Sequence, residues 1–432
     1  MSTPALALNN LRTFAIVIVL AVHSFVAYLA SSPASSFRFD DPPFRWRSIP
    51  IIDGDRWLGF DIFCAHQDAY LIALLFFLSG LFVWPSLKRK GARNFLRDRA
   101  VRLGLPFALA VGLLMPVAHY PIYRVTAADT SVTAYWQHLL ALPFWPSGPP
   151  WFLWVLLVFN LGAAALYSFA RSSGDALGQI VGKLSARPMA FVTVLVAASG
   201  LAYVPLALAF TPWTWFHVGP FAFQLCRPLL YAVYFLTGVG VGAYGIEQAA
   251  LLAPGGWLTR HWAVAAGAAI ATFALWLGLV GIAMSGGGPP SLQLQVLEAS
   301  GFVLCCAGGS MFMLAIFVRF ANRRIRMLGA LSEETYGMYL VHYLFSVWLQ
   351  FALLGFAVLA VIKAAIVFSA TLLLSWGSVA AMRRAVNAVG SVVHWLVAVP
   401  SLSSPARTYP AHLGEEGGAG SLGSRLQTKT GV

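Results

Sequence analysis

Long apolar runs separated by short polar or basic stretches set the plan of this chain. Runs of spanning length fall at about 11–30, 66–86, 101–120, 150–170, 189–210, 228–247, 261–284, 296–318, 332–354 and 357–381. A helix needs about 20 apolar residues to cross the hydrocarbon core of a bilayer. The pattern therefore predicts an all-α polytopic membrane protein with about ten transmembrane helices. Pro106 and Pro116 interrupt the third run. Their missing N–H groups leave carbonyls that neighbouring helices must satisfy.

Composition supports this plan. Of 432 residues, 59% are hydrophobic and only 10% charged, and the mean hydropathy is +0.75; no soluble globular domain of this length has that balance. The net charge of +13 would suit a nucleic-acid binder, but its distribution does not. Seven of the 28 Lys and Arg residues lie between Lys88 and Arg102. Others cluster at Arg171, Lys183 and Arg187, at Arg319, Arg323, Arg324 and Arg326, and at Arg383 and Arg384. All of these follow an even-numbered run or precede an odd-numbered one, so the positive-inside rule puts those loops and both termini in the cytosol. The long loop at 31–65 then lies outside, with four prolines and a mixture of Arg and Asp, and can cap an outward-facing site. The N-terminus lacks the pattern of a cleaved signal, so the first run is expected to be retained. Residues 1–385 read as the membrane domain, and 386–432, rich in Gly and Ser, as a mostly disordered cytosolic tail. Cys64 and Cys226 both fall near the outer side, where a disulfide between them is open; Cys305 and Cys306 are adjacent and form no framework.

Within this plan the candidate chemistry is sparse. Arg12 and His23 are eleven residues apart. Eleven helical steps return to within about 20° of the start, so both lie on one face, about 16 Å apart along the axis. For a helix entering from the cytosol, Arg12 marks the boundary and His23 lies near the midplane, where an ionisable residue is costly and functional by default. His342 lies at a similar depth in the ninth run, although a hydrogen-bonded structural histidine would look the same in sequence. Arg99 and Arg102 share a helical face leading into the third run. They read either as part of a lipid-facing basic stretch or as guanidinium forks for phosphate at the cytosolic mouth.

Other features invite simpler readings. His66 and Asp68 at the start of the second run can line the same cavity as His23, but they are too few for a metal, and none is expected. Gly240-Val241-Gly242-Ala243-Tyr244-Gly245 matches a dinucleotide fingerprint without its strand, and reads instead as a small-residue helix seam. Lys363 is expected to snorkel, Glu298 to reach the headgroups, and Trp145, Trp151 and Trp154 to form an interfacial aromatic belt.

Taken together, Leu11-Arg12 through His23, Phe76-Phe77-Leu78-Ser79-Gly80, Phe95-Leu96-Arg97-Asp98-Arg99 with Arg102 and Pro106, Pro150-Trp151-Phe152-Leu153, and Tyr336-Gly337-Met338-Tyr339-Leu340-Val341-His342 resemble acyltransferase family 3. The resemblance runs from about residue 9 to 380. It implies a ten-helix domain of a bacterial inner membrane that takes an acyl group, acetyl or succinyl foremost, from cytosolic acyl-CoA to a hydroxyl of an outer-side carbohydrate or glycolipid. The family's first-span Arg and His fall on Arg12 and His23, its third-span basic motif on Arg99 and Arg102, and its ninth-span histidine on His342. Many members have a further arginine where this chain has Asp98, and Arg97 stands in as the substitute.

On this reading Arg12, Arg97, Arg99 and Arg102 bind acyl-CoA, His23 acts as general base with acyl-histidine catalysis as the alternative, and His342 positions the acceptor or the carbonyl. No tightly bound cofactor is expected; acyl-CoA is the donor substrate. The bilayer and an acceptor glycan are the remaining partners, with no nucleic acid. The rival class is a transporter or flippase with His23 and His342 as proton relays. It leaves the arginines at the third span without a role.

Overall fold

Each apolar run lies on a helix. The computed structural model describes residues 3–397 except 213, 254 and 287, and the protein is mostly helical (76%). In chain order the helices used below are α1 (Thr3–Phe25), α2 (Leu58–Gly80), α3 (Val83–Thr126), α4 (Val132–Ala141), α5 (Trp151–Phe169), α6 (Ser173–Ser185), α7 (Pro188–Ala209), α8 (Pro228–Tyr244), α9 (Trp262–Ser285), α10 (Leu292–Phe320), α11 (Arg326–Ser332), α12 (Thr335–Leu353) and α13 (Ala360–Val397). Eight helical stretches, those of α1, α2, α3, α5, α7, α9, α10 and α13, are long and apolar enough to cross a membrane. Two more of the expected spans correspond to α8, with 17 residues, and α12, with 19. The hydropathy of α12 is diluted by Tyr336, Tyr339, His342, Tyr343, Ser346 and Gln350, the polar side chains that make it interesting. The architecture is that of an all-α polytopic membrane protein. The described residues up to Met382 form one compact unit, and a second begins at Arg383. Most of the tail expected at 386–432 lies outside the described residues.

Helix α2 is central, packed by α1, α8 and α10, and every residue from Ala73 to Leu78 is buried. Its contact with α8 explains the glycine motif. A Cβ at Gly238 would fall on the carbonyl oxygen of Phe77, one at Gly242 on that of Leu81, and one at Gly80 on that of Phe235. The glycines thus let two backbones touch, as a small-residue seam does. Helix α10 also packs α7 and α9, while α12 packs α1 and α3. A short antiparallel hairpin, β1 (Trp215–Val218) and β2 (Phe221–Gln224), joins α7 to α8, with Trp215 opposite Gln224 and Gly219 at φ 54 in the tight turn. The alternation over these few residues was too brief to predict it.

Helix α3 shows how the prolines are accommodated. It breaks at Gly91 (φ 72, ψ 162) and loosens into π-turns at Ala100–Gly104 and Ala110–Leu114, each ending two residues before a proline. Pro106 cannot donate to the carbonyl of Arg102 four residues back, and the Tyr336 hydroxyl of α12 donates to it instead at 2.5 Å. Pro116 follows the second π-turn in the same way, and the carbonyl of Val111, five residues back, accepts from the Trp145 indole at 3.0 Å. Pro121 leaves the carbonyl of Val117, and Trp348 of α12 donates to it at 3.0 Å. A carbonyl left open in hydrocarbon would cost several kcal/mol, so two donors on α12 and one ahead of α5 hold α3 in place.

Several simpler expectations are corrected by this packing. The indole N–H of Trp145 is committed to the carbonyl of Val111, and Trp154 likewise donates to the carbonyl of Ala222, each at 3.0 Å, so both indoles serve packing inside the bundle. Trp151 packs on Trp215 and Tyr231. Lys363 does not snorkel. It is 1% exposed and its ammonium donates to Asp53 at 2.8 and 3.0 Å and to Asp55 at 2.8 Å, pinning the 26–57 segment to α13. Cys64 and Cys226 are both free thiols.

Candidate functional site

Helix α1 runs unbroken from Thr3 to Phe25, so the eleven-residue spacing places Arg12 and His23 on one face. His23 is half-buried and meets two side chains of α12. Its ring centroid lies 5.2 Å from that of His342 and 5.5 Å from that of Tyr343, the latter edge-on. The structure thus brings together the two histidines singled out from sequence. Gln350, just over two turns beyond His342 on α12, donates to the carbonyls of His23 at 2.7 Å and Ser24 at 3.2 Å. This clasp holds the end of α1 against α12.

His342 is fully buried, and its protonation pattern can be read from its neighbours. Its Nδ1 lies 2.7 Å from the carbonyl oxygen of Tyr339. A carbonyl only accepts, so the proton of the neutral ring is on Nδ1 and Nε2 carries a lone pair. Nε2 has no hydrogen-bond partner among the described residues. Buried polar atoms are nearly always paired, and an unpaired one beside a second imidazole marks a place where a proton donor belongs. The hydroxyl of Tyr339 is held by the carbonyl of Pro149, which fixes the start of α5 against the same face of α12.

Arg12 lies in the first half of α1, on the side of His23 away from Gln350, and the segment carrying Arg102 is tied to the start of α12. Asn10 donates to the carbonyls of Ala321 at 2.8 Å and Arg323 at 3.0 Å, tying the start of α1 to the segment leading into α11 and α12. Through Tyr336, Arg102 is joined to the start of α12. Arg12, Arg97 and Arg102 are exposed, with Arg12 donating to Asn9 at 3.1 Å. Arg99 is half-buried, its guanidinium 4.9 Å from the ring centroid of Phe95. Asp98, the departure from the family pattern, pairs with Lys90 across the Gly91 break and so is neutralised within α3.

Two expected neighbours lie elsewhere. Asp68 forms a two-pronged pair with the buried Arg227 at 2.8 and 2.5 Å, and that guanidinium sits 5.1 Å from the ring centroid of Phe302. His66 packs on Tyr70 and Phe273. Neither joins the His23 and His342 pair, because α2 turns that face toward α8, α9 and α10. No group of three or more metal-ligating side chains occurs among the described residues.

A third histidine was missed. His119 of α3 donates from Nδ1 to the carbonyl of Met115 at 2.6 Å and packs on Tyr343 at 5.8 Å and on Trp46 of the 26–57 segment at 5.5 Å. Rings therefore lead from His23 through Tyr343, His119 and Trp46 to the end of the bundle opposite Arg12. A histidine among apolar residues was the available signal, but its facing depends on the two π-turns.

The family described as an acyltransferase domain matches residues 6–380. The chain belongs to acyltransferase family 3. It is an integral, multi-pass membrane acyltransferase, and the transporter reading falls away. No curated protein and no solved structure matches the chain. The match covers every residue of the candidate site, from Arg12 to His342, together with Lys363 and its partners.

Proposed function

We propose that this membrane acyltransferase takes an acyl group, acetyl or succinyl, from cytosolic acyl-CoA and delivers it to a hydroxyl of a carbohydrate or glycolipid on the outer side of a bacterial inner membrane. The observation that carries this reading is the contact between His23 and a His342 whose Nε2 lone pair is buried and unclaimed.

In this scheme Arg12, Arg99 and Arg102, with Arg97 at their edge, hold the phosphates of CoA at the basic end, since guanidinium forks suit phosphate oxygens. The pantetheine arm follows α1 inward over about 16 Å, eleven residues of helix rise, to bring the thioester beside His23. The acceptor hydroxyl approaches from the opposite end. His23 takes its proton as the oxygen attacks the thioester carbonyl; the C–S bond then breaks and the proton passes to the departing thiolate of CoA. While His23 is an imidazolium, the Nε2 lone pair of His342 can accept from it. His342 thereby holds the ring in place and spreads its charge, the part an orienting group takes beside a general base.

Substitution tests the scheme directly. His23→Ala and His342→Gln, each with membrane insertion confirmed, should lower acyl transfer by on the order of 10²-fold or more. Retained activity in His23→Ala removes the base. Acyl-CoA should raise the apparent melting temperature of the purified protein, because a ligand bound only by the folded state stabilises it. Mass analysis of envelope glycans with and without the protein identifies the product.

A further inference from the structure

The segment between α1 and α2 holds an arginine that pairs with no carboxylate among the described residues. Arg47 lies in the one-turn 3₁₀ segment Arg45–Arg47 of the 26–57 loop, with its guanidinium carbon 4.4 Å from the ring centroid of Phe144 and 5.8 Å from that of Trp215. Its Nε and Nη1 are buried and have no hydrogen-bond partner among the described residues. His217 of β1 packs edge-on against the same Phe144 at 4.9 Å. A small cleft lined by Pro43, Phe44, Arg45, Arg47, Ser48 and Trp215 opens beside the guanidinium.

The acids of this region are engaged elsewhere. Asp40 pairs with His138 at 3.0 Å and Asp41 with Arg38 at 3.8 Å. Asp53 and Asp55 hold Lys363, and Asp61 accepts from the backbone N–H groups of Ala30 at 2.7 Å and Ser31 at 3.0 Å. The buried Arg227, by contrast, has its carboxylate in Asp68. Arg47 is protonated all the same: burial pushes it down only to about 10. Its charge adds to burial in holding His217 below the usual histidine range, so His217 stays neutral beside it. A half-buried cation whose Nε and Nη1 are shielded from water, flanked by aromatic faces and without a carboxylate partner among the described residues, is suited to receive an external anion.

The site is also connected to the histidines. Phe144 lies 6.3 Å from Trp46, Trp46 is 5.5 Å from His119, and His119 reaches Tyr343 and so His23. Trp145, next to Phe144, donates its backbone N–H to the carbonyl of Gly219 in the hairpin turn at 3.0 Å, so the loops that build the cleft are joined to one another.

We propose that Arg47, Phe144, Trp215 and His217 form an acceptor subsite for an acidic sugar, with the guanidinium taking its carboxylate or phosphate and the aromatic faces its ring. This deepens the function proposed above and rests on an acceptor glycan entering from this end.

The test is direct binding to the purified full-length protein in detergent, read by titration calorimetry and by tryptophan fluorescence. The probes are cellobiouronic acid, glucose 6-phosphate and the neutral cellobiose. At least one acidic probe should bind about tenfold or more tightly than cellobiose, the scale of one charge-assisted pair. Its affinity should fall with added salt, and Arg47→Gln should remove that preference while Arg47→Lys keeps part of it. Which acidic probe binds tells carboxylate from phosphate. Equal binding of cellobiose, no binding of either acidic probe, or an unchanged preference in Arg47→Gln overturns the proposal. Should Arg47→Gln fail to fold, the preference of the wild-type protein among the three probes decides alone. Stabilisation by acyl-CoA, measured on the same wild-type preparation, judges the acyltransferase scheme separately.

Discussion

Replacing Lys363 with Met puts the anchoring of the outer segment to a quantitative test. Lys363 and Asp53 are each 1% exposed, and the ammonium makes three hydrogen bonds to Asp53 and Asp55. Asp55 is half-exposed and can turn to water once the lysine is gone, whereas Asp53 cannot. It would keep only the backbone N–H of Asp55, at 2.9 Å. Leaving one member of a buried pair uncompensated costs about 3–5 kcal/mol. That loss corresponds to a fall in apparent melting temperature of about 3–6 °C for the detergent-solubilised full chain. The neutral pair Lys363→Met with Asp53→Asn should recover most of it, because no buried charge remains and the desolvation cost of both ions is gone. Thermal unfolding of wild type, both single variants and the double variant, in one detergent, gives the coupling. The reasoning fails if Lys363→Met loses less than about 1 kcal/mol, or if the double variant is no more stable than Lys363→Met alone.

Three further outcomes follow from other parts of the structure. Gly242→Ala, whose new Cβ would fall on the Leu81 carbonyl, should destabilise by at least about 1–3 kcal/mol in the same assay, while Gly278→Ala, with open space around it, should be near neutral. Tyr336→Phe should cost about 1 kcal/mol by reopening the Arg102 carbonyl, and Pro106→Ala in the same chain should offset that loss by restoring the missing N–H; additive effects would refute the exchange. Because Cys64 and Cys226 are free, dithiothreitol should leave the melting temperature unchanged, and a reductant-sensitive midpoint would show that they pair.

The legible part of this protein is what periodicity and depth control. Ten apolar runs became helices because a bilayer leaves few other ways to satisfy a backbone. Arg12 and His23 fell on one face because α1 is a regular helix, and the Gly240 motif read as a seam because nothing before it was a strand. Distance along the chain hid the rest. Lys363 looked like a snorkelling residue because its acids are about 310 residues away, inside an irregular loop. The partners of Trp145 and Trp154 were hidden as well, because a sequence shows an indole but not the carbonyl it caps. His66 and Asp68 share a helix end with the site but face its other side. His119 was illegible for a sharper reason: each π-turn inserts a residue into α3 and rotates everything beyond it by about 100°, so the 3.6-residue period no longer relates its facing to that of Arg102.

Those irregularities also bind the two halves of the proposed site to each other. Helix α12 carries His342 and, at its start and near its end, supplies the hydroxyl of Tyr336 and the indole of Trp348 to carbonyls opened by Pro106 and Pro121. The first of those carbonyls belongs to Arg102. The arginine proposed to grip the donor and the imidazole proposed to assist transfer are therefore joined through six residues of one helix and a single hydrogen bond, with Gln350 clasping His23 from the same helix. A regular α3 would need no such donors and could slide or turn against α12 at little cost. With prolines at fixed places, sliding uncovers carbonyls in a medium that cannot hydrate them, and the register stays put. Acyl transfer needs this, because a displacement of about 1 Å between nucleophile and carbonyl can cost 10²-fold in rate. On this view the prolines of α3 are part of what keeps a donor bound at one end of the bundle within reach of a histidine pair deeper inside.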